Sequence, residues 1–322
     1  LYPLRFQPRY VEKIWGGQKI RTVLGKDFGA AANCGETWEV SGVPGHLSIV
    51  AAGPLAGQSL ADLLRTHRAD LAGQSVYDRF GNTFPLLIKF IDAADDLSIQ
   101  VHPDDALAQQ RHGSFGKTEM WYIFDADPGS RLFVGFNQDL DPASYQAALD
   151  EGRILDVIHT EAVSPGDVYF IPAGRVHSIG KGLLLAEIQQ TSDVTYRLYD
   201  FDRVDANGQG RELHTELALD AIDFDRPPTY ATDYDREAAD VELASCPYFQ
   251  THRLALSATM TRDLSGRDSF TIFICVGGGA TLQAGDHHTS LRLGDVILVP
   301  ACLSAVQLIP DGQVSLLETW VP

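Results

Sequence analysis

Gly166-Asp167-Val168-Tyr169-Phe170-Ile171-Pro172-Ala173 returns as Gly294-Asp295-Val296-Ile297-Leu298-Val299-Pro300-Ala301, 128 residues further along the chain. Each copy opens on a tight turn and runs through a short apolar strand. It stops at a proline, which has no N–H to give a sheet. Two similar β units in tandem produce such a repeat. Working outward, residues 84–91, 97–101, 120–124, 168–171, 183–188, 270–276 and 296–299 are short, β-rich and bounded by turn residues. The pattern predicts a mainly β chain built as two tandem, jelly-roll-like β-barrels with a few short helices. Helices are expected over 59–68, where Ser59 caps leucines at helical spacing, over 104–112 after Pro103, and over 141–149 behind Asp141-Pro142. Residues 223–240 are polar, contain Pro227-Pro228 and read as a linker. A boundary near residue 235 divides the chain into 1–235, with an N-terminal extension and the short helices, and a second unit over 236–322.

The two copies differ in one chemically telling respect. His177 in the first falls on Ala305 in the second, so the first unit can hold a polar site that the second lacks. Two other segments supply partners for His177. In Gln100-Val101-His102 the outer residues lie two apart, on one face of a strand. Glu119 opens the Met120-Trp121-Tyr122 strand. Two imidazoles, a carboxylate and an amide oxygen suit a Lewis-acid metal such as zinc, with room for water or substrate. The oxygen-rich set disfavours copper and leans away from iron dioxygenase chemistry. Taken singly, each residue has a plain structural reading: a hydrogen-bonded strand histidine, a surface carboxylate, a turn. Together they match the two cupin signature motifs, with Gln100 in place of the first histidine of His-x-His. His112, His159, His214 and the adjacent pair His287-His288 receive no role.

Composition narrows the partners. Asp and Glu number 43 against 25 Lys and Arg, a formal net charge of −18, so neither nucleic acid nor an anionic membrane surface is expected as a partner. A small anion needs only a few local cations. The 44% hydrophobic content supplies a sizeable core. Cys34, Cys246, Cys275 and Cys302 form no C-x-x-C pair and read as thiols of a reducing compartment. With no basic-then-apolar leader and no apolar run of about 20 residues, a cytoplasmic protein is expected. The sequence does not speak to the oligomeric state.

The glutamine in place of histidine is where a family comes into view. Gln100-Val101-His102-Pro103-Asp104-Asp105 and Lys117-Thr118-Glu119-Met120-Trp121-Tyr122 resemble the metal motifs of type I mannose-6-phosphate isomerases. Ile14-Trp15-Gly16-Gly17, Gly35-Glu36-Thr37-Trp38-Glu39-Val40 and the run from Glu187 to Asp200 also match, in order. The length resembles that of the short bacterial subclass. The resemblance implies interconversion of mannose 6-phosphate and fructose 6-phosphate, with one zinc ion on Gln100, His102, Glu119 and His177. It implies Arg197 as the active-site arginine and Lys117, Glu187 and Asp193 at other active-site positions. Ser98, Lys89 and Arg203 fall near positions associated with phosphate.

An aldose–ketose isomerase moves a proton between C2 and C1 through an enediolate, whose charge a metal and Arg197 would stabilise. Glu187 serves as the base if burial raises its pKa, and Lys117 if nearby charge lowers its own. Arg197 has the plain alternative of pairing with Asp193 or Asp200. An interior Lys89 requires an anion, which a phosphate would supply. Trp121-Tyr122 reads as packing. The rival functions are a cupin metalloenzyme acting on another sugar phosphate and a non-catalytic sugar-binding or regulatory cupin.

Overall fold

The computed structural model describes residues 1–204 and 207–322. The strands up to Tyr199 are β1 (Arg9–Val11), β2 (Glu36–Ser41), β3 (Leu86–Ala93), β4 (Ile99–Val101), β5 (Glu119–Ala126), β6 (Arg131–Phe136), β7 (Ile158–Ala162), β8 (Val168–Ile171), β9 (His177–Ile179), β10 (Leu183–Gln190) and β11 (Tyr196–Tyr199). They form a six-stranded sheet in the order β1-β2-β3-β10-β5-β8 and a five-stranded sheet in the order β11-β4-β9-β6-β7. Ile91, Trp121, Ile123 and Leu185 of the first sheet share one buried cluster with Leu132, Val134 and Ile179 of the second, so the sheets face each other. Each hydrogen-bonded order is open at its ends, so the expected barrel takes the form of two facing sheets.

The remaining strands are β12 (Asp240–Ser245), β13 (Gln250–Leu256), β14 (Met260–Asp263), β15 (Thr271–Ala284), β16 (His287–Arg292), β17 (Val296–Val299) and β18 (Ala305–Trp320), in one seven-stranded sheet. β15 runs past the short strand expected over 270–276, and β18 was not expected at all. Their pairing shifts register on either side of Gly277-Gly278. Gly278 has φ +68, and a Cβ there would lie 1.9 Å from the Gln313 carbonyl oxygen. Only glycine fits, and the irregularity lets one long pair turn without ending. The other expected strands and helices lie where the sequence pattern puts them, whereas β2, β6, β7 and the helix Gln74–Phe80, among others, were not anticipated. Ser59, Asp104 and Asp141 cap the helices Leu60–His67, Asp105–His112 and Pro142–Asp150 by accepting backbone N–H bonds.

Residues 223–240 carry no helix, and their strand content begins only with β12 at Asp240. They are not a loose tether, however. The Tyr230 hydroxyl donates to the Phe136 carbonyl and accepts from the Phe136 N–H, each at 3.0 Å. The N-terminal segment and the third sheet meet through Leu4 and Leu298, whose backbones bond reciprocally at 2.7 and 2.9 Å. Phe84 and Phe270 pack at a 37° tilt with centroids 4.5 Å apart in the same core, both fully buried. Each such ring contributes about 1.5–3 kcal/mol by burial. Among the described residues no helix is long and apolar enough to cross a membrane.

Candidate active site

The site lies between the two facing sheets, and strand register assembles it from both. In the five-stranded sheet, Arg197 on β11 pairs with Gln100 on β4, which pairs with His177 on β9. In the six-stranded sheet, Trp38 on β2 pairs with Lys89 on β3, Lys89 with Glu187 on β10, and Glu187 with Trp121 on β5, two residues from Glu119. His102 follows β4 directly. The turn that delivers His177 passes through Gly174, which has φ +88 and donates its N–H to the His102 carbonyl at 2.9 Å. The glycine is therefore needed for the conformation, and its bond ties the two histidine segments together.

His102, Glu119 and His177 are all buried, and one potential ligand atom from each lies within 4.8 Å of the others. His102 Nδ1 donates to the Val194 carbonyl and His177 Nδ1 to the Arg175 carbonyl, each at 2.8 Å. Those bonds fix the tautomer and make both Nε2 atoms lone-pair acceptors. Burial, with the nearby positive charge of Lys117, holds His102 well below the ordinary histidine range. Burial pushes His177 down to about 4. Both rings are neutral near pH 7, the form that binds metal. Glu119 Oε1 is 3.3 Å from His177 Nε2 and Oε2 is 3.8 Å from His102 Nε2. Gln100 reaches the same point, its amide nitrogen 3.3 Å from His177 Nε2. A half-turn of the amide presents Oε1 there instead.

Whether these residues fit a metal is tested by Glu119. Neither of its buried oxygens meets an aligned hydrogen-bond donor. Lys117 Nζ approaches Oε2 at 2.8 Å, but as an ion pair rather than a directed bond. An unsatisfied buried carboxylate is costly, and a cation on it and the two Nε2 atoms would remove the cost. The donor set fits, and the three residues form a candidate metal-binding triad.

Lysines and a second carboxylate adjoin the triad. Lys117 Nζ lies 3.2 Å from His102 Nε2 and 3.7 Å from Glu187 Oε1. Lys89 Nζ lies 3.1 Å from Glu187 Oε2. Glu187 is thus the anion that an interior Lys89 requires, so no phosphate is needed to explain that burial. The conditions set for a base read in the opposite sense for both candidates. Burial would raise Glu187, but Lys117 and Lys89 outweigh it and hold the carboxyl below its usual range. Burial would lower Lys117, but Glu119 and Glu187 hold it above the ordinary lysine value. The Trp121 indole packs inside and donates to Glu187 Oε1 at 3.2 Å.

Arg197 pairs with neither proposed aspartate. Its Nη1 donates to the Glu212 carbonyl at 2.8 Å, and its buried Nε has no hydrogen-bond partner. Asp200 instead accepts from Arg203 at 2.6 Å and from Arg211 at 2.5 and 2.7 Å. Burial together with those two guanidiniums lowers the Arg197 pKa. Ser98 is buried two residues before Gln100, whereas Asp193 is exposed on the loop that supplies the Val194 carbonyl. Arg203 is engaged by Asp200 and by the Asp96 carbonyl, the latter at 2.5 Å. Arg211, Asp200, Glu36 and Trp38 were not singled out for chemistry by the sequence. Asp200, Glu36 and Trp38 do lie inside stretches that carry the family resemblance.

Fold and site together define a class: a cupin-type β protein equipped for chemistry between its facing sheets. The comparisons narrow it. The model of the phosphomannose isomerase type I catalytic domain matches residues 3–127. A mannose-6-phosphate isomerase of Streptococcus mutans serotype c is 34% identical over 322 residues, 98% of each chain. The mannose-6-phosphate isomerase ManA of Bacillus subtilis is 35% identical over 313 residues, 95% of each chain. The crystal structure of the mannose 6-phosphate isomerase from Bacillus subtilis superposes with a TM-score of 0.87 at 30% identity, covering 99% of both chains. The chain belongs to the type I phosphomannose isomerases.

Proposed function

We propose that this enzyme interconverts mannose 6-phosphate and fructose 6-phosphate, using one zinc ion held by Gln100, His102, Glu119 and His177. The observation that carries the reading is the buried carboxylate of Glu119, without an aligned donor, between two neutral imidazoles whose outer nitrogens are already committed. When bound, the ion supplies Lewis-acid polarisation of the sugar's carbonyl oxygen.

The surrounding residues divide the remaining work. Lys89, Lys117, Glu119 and Glu187 are all buried, and their formal charges cancel. A divalent ion therefore leaves the pocket positive, as a dianionic substrate and an enediolate require. Glu187, ionised at neutral pH, takes the proton from C2 of the open-chain aldose and returns it at C1. The flanking lysines disfavour its protonated form, which hastens the return but weakens Glu187 as a base, so the abstraction relies on stabilisation of the enediolate charge by the ion and Arg197. Lys117, held in its ammonium form, donates toward the sugar oxygens as a hydroxyl proton passes between O2 and O1. Arg197 supplies a permanent positive charge beside the same oxygens.

Arg203 and Arg211 share one carboxylate, Asp200, and form a cationic rim for the phosphate. Ser98 and Asp193 contribute polar contacts to the substrate. Lys89 acts through Glu187 in this reading rather than on the phosphate. Residues 1–235 form the catalytic unit and 236–322 the companion unit, in a cytoplasmic enzyme. The test is an assay coupling fructose 6-phosphate formation from mannose 6-phosphate to a reporter, before chelation, after it and after zinc return. Activity that disappears and comes back is expected. A chain that turns over no mannose 6-phosphate in any of the three states would overturn the proposal.

A further inference from the structure

The stretch Glu36-Thr37-Trp38-Glu39 is buried throughout, and the chemistry above uses none of it. Glu36 and Trp38 lie two apart on one face of β2. A buried carboxylate costs stability unless it is paired and hydrogen-bonded, and Glu36 is both. Its Oε1 is 2.9 Å from Lys13 Nζ, and its Oε2 accepts from Trp38 Nε1 at 2.8 Å. The bond to Glu36 locks the indole. Arg9, with its guanidinium 5.5 Å from the ring centroid, and His46, edge-on at 5.4 Å, also pack on it. Across the β2–β3 register stands Lys89, its ammonium 5.2 Å from the same ring centroid and 3.1 Å from Glu187 Oε2.

The charges from the rim inward alternate in sign: Lys13, Glu36, Lys89, Glu187, Lys117, Glu119. Every member but Lys13 is buried. A lysine side chain has four rotatable bonds, and nothing in its own chemistry aims it. The indole face offers a cation–π seat, and the Glu36 carboxylate adds attraction from the side away from Glu187. We propose that Glu36 and Trp38 are positioning residues for the isomerisation: they hold Lys89 against Glu187 and so fix the carboxylate that handles the carbon-bound proton. This rests on the isomerase reading given above and adds to it two residues that stand outside the metal triad and act through Lys89.

A positioning role predicts dependence on Lys89, and the test is a double-mutant cycle. Lys89→Met and Trp38→Leu are each expected to lower kcat about 10- to 100-fold, the scale on which small misplacements slow reactions. KM for mannose 6-phosphate should stay within about threefold and zinc content should be unchanged. The double variant should lose no more than the worse single variant, because both changes remove one arrangement. Trp38→Phe, which keeps a ring for Lys89 to rest on, should recover most of the kcat lost in Trp38→Leu. Losses that multiply in the double variant, or a folded Trp38→Leu enzyme with wild-type kcat, overturn the proposal. If Trp38→Leu does not fold, Glu36→Gln in the wild-type and Lys89→Met backgrounds gives a second cycle with the same two outcomes. Failure of the isomerase reading is separable, because it shows in the wild-type assay; the proposal then falls with it.

Discussion

Gln100 and His177 face each other across β4 and β9, paired in register and with side-chain nitrogens 3.3 Å apart. A strand position usually given to histidine thus aims an amide at the triad. If Gln100 is the fourth ligand, Gln100→Ala weakens zinc binding by at least the roughly 10- to 100-fold that loss of an outer partner costs. Competition against a chromophoric chelator measures it. An unchanged dissociation constant would remove Gln100 from the ligand set.

Glu119 is the most exposed to failure of all the proposed ligands, since Lys117 at 2.8 Å is the one charged partner of its buried oxygens among the described residues and no aligned donor reaches either of them. Zinc at a hundredfold excess over its Kd adds about 2.7 kcal/mol to the folded state. Thermal unfolding of the wild type should therefore move up with zinc and down with chelator. Glu119→Gln keeps the shape of the side chain, removes its charge and should abolish most of that response. A variant whose Tm still follows zinc as the wild type does would show that the ion sits elsewhere.

Arg197 stands beside Gln100 on the neighbouring strand with its Nε unpartnered. Arg197→Ala should keep a full complement of zinc and lose about 10²–10³ in kcat, the usual cost of deleting one preorganised positive group. Metal analysis and steady-state kinetics on the same preparation decide it. Loss of zinc alongside turnover would make the residue structural instead.

What the sequence disclosed of this site was the part that strand alternation and short spacing can encode. Gln100 and His102 lie two apart, Glu119 opens a strand, and His177 follows a glycine-marked turn; all four converge. The charged row could not be read, because Lys89 meets Glu187, and Trp38 meets Lys89, only through long-range register. No local pattern specifies which residue of one strand lies opposite which residue of another. Asp200 was legible as a carboxylate near Arg197, but its capture by Arg203 and Arg211 was not. That capture depends on a turn in which Phe201 and Asp202 both adopt φ +55, a conformation a phenylalanine does not advertise. The expected strand 270–276 stopped short for a related reason: Gly277-Gly278-Gly279 reads as a strand end, whereas β15 continues through it to Ala284.

Asp92 offers a test of the N-terminal segment that does not involve the metal. Its side chain is buried, and Oδ2 accepts the backbone N–H of Lys19 at 2.5 Å and of Ile20 at 3.3 Å. Gly17 packs so closely that a Cβ there would lie 2.4 Å from Oδ1. Burial raises this carboxyl to about 6, against the opposing pull of the two N–H bonds. In the unfolded chain an aspartate titrates near 3.9. Between about pH 4 and pH 6 the folded protein therefore binds more protons than the unfolded one, and stability falls as pH rises through that window. The cost is absent below the window and complete above it, up to about 3 kcal/mol at 1.36 kcal/mol per unit. Asp92→Asn keeps an oxygen for the two N–H groups and removes the titration. Urea unfolding at pH 4.5, 5.5 and 6.5 should show the wild type losing stability relative to Asp92→Asn at each step. Parallel curves for the two proteins would mean that ionised Asp92 is accommodated without cost by the N–H groups that cradle it.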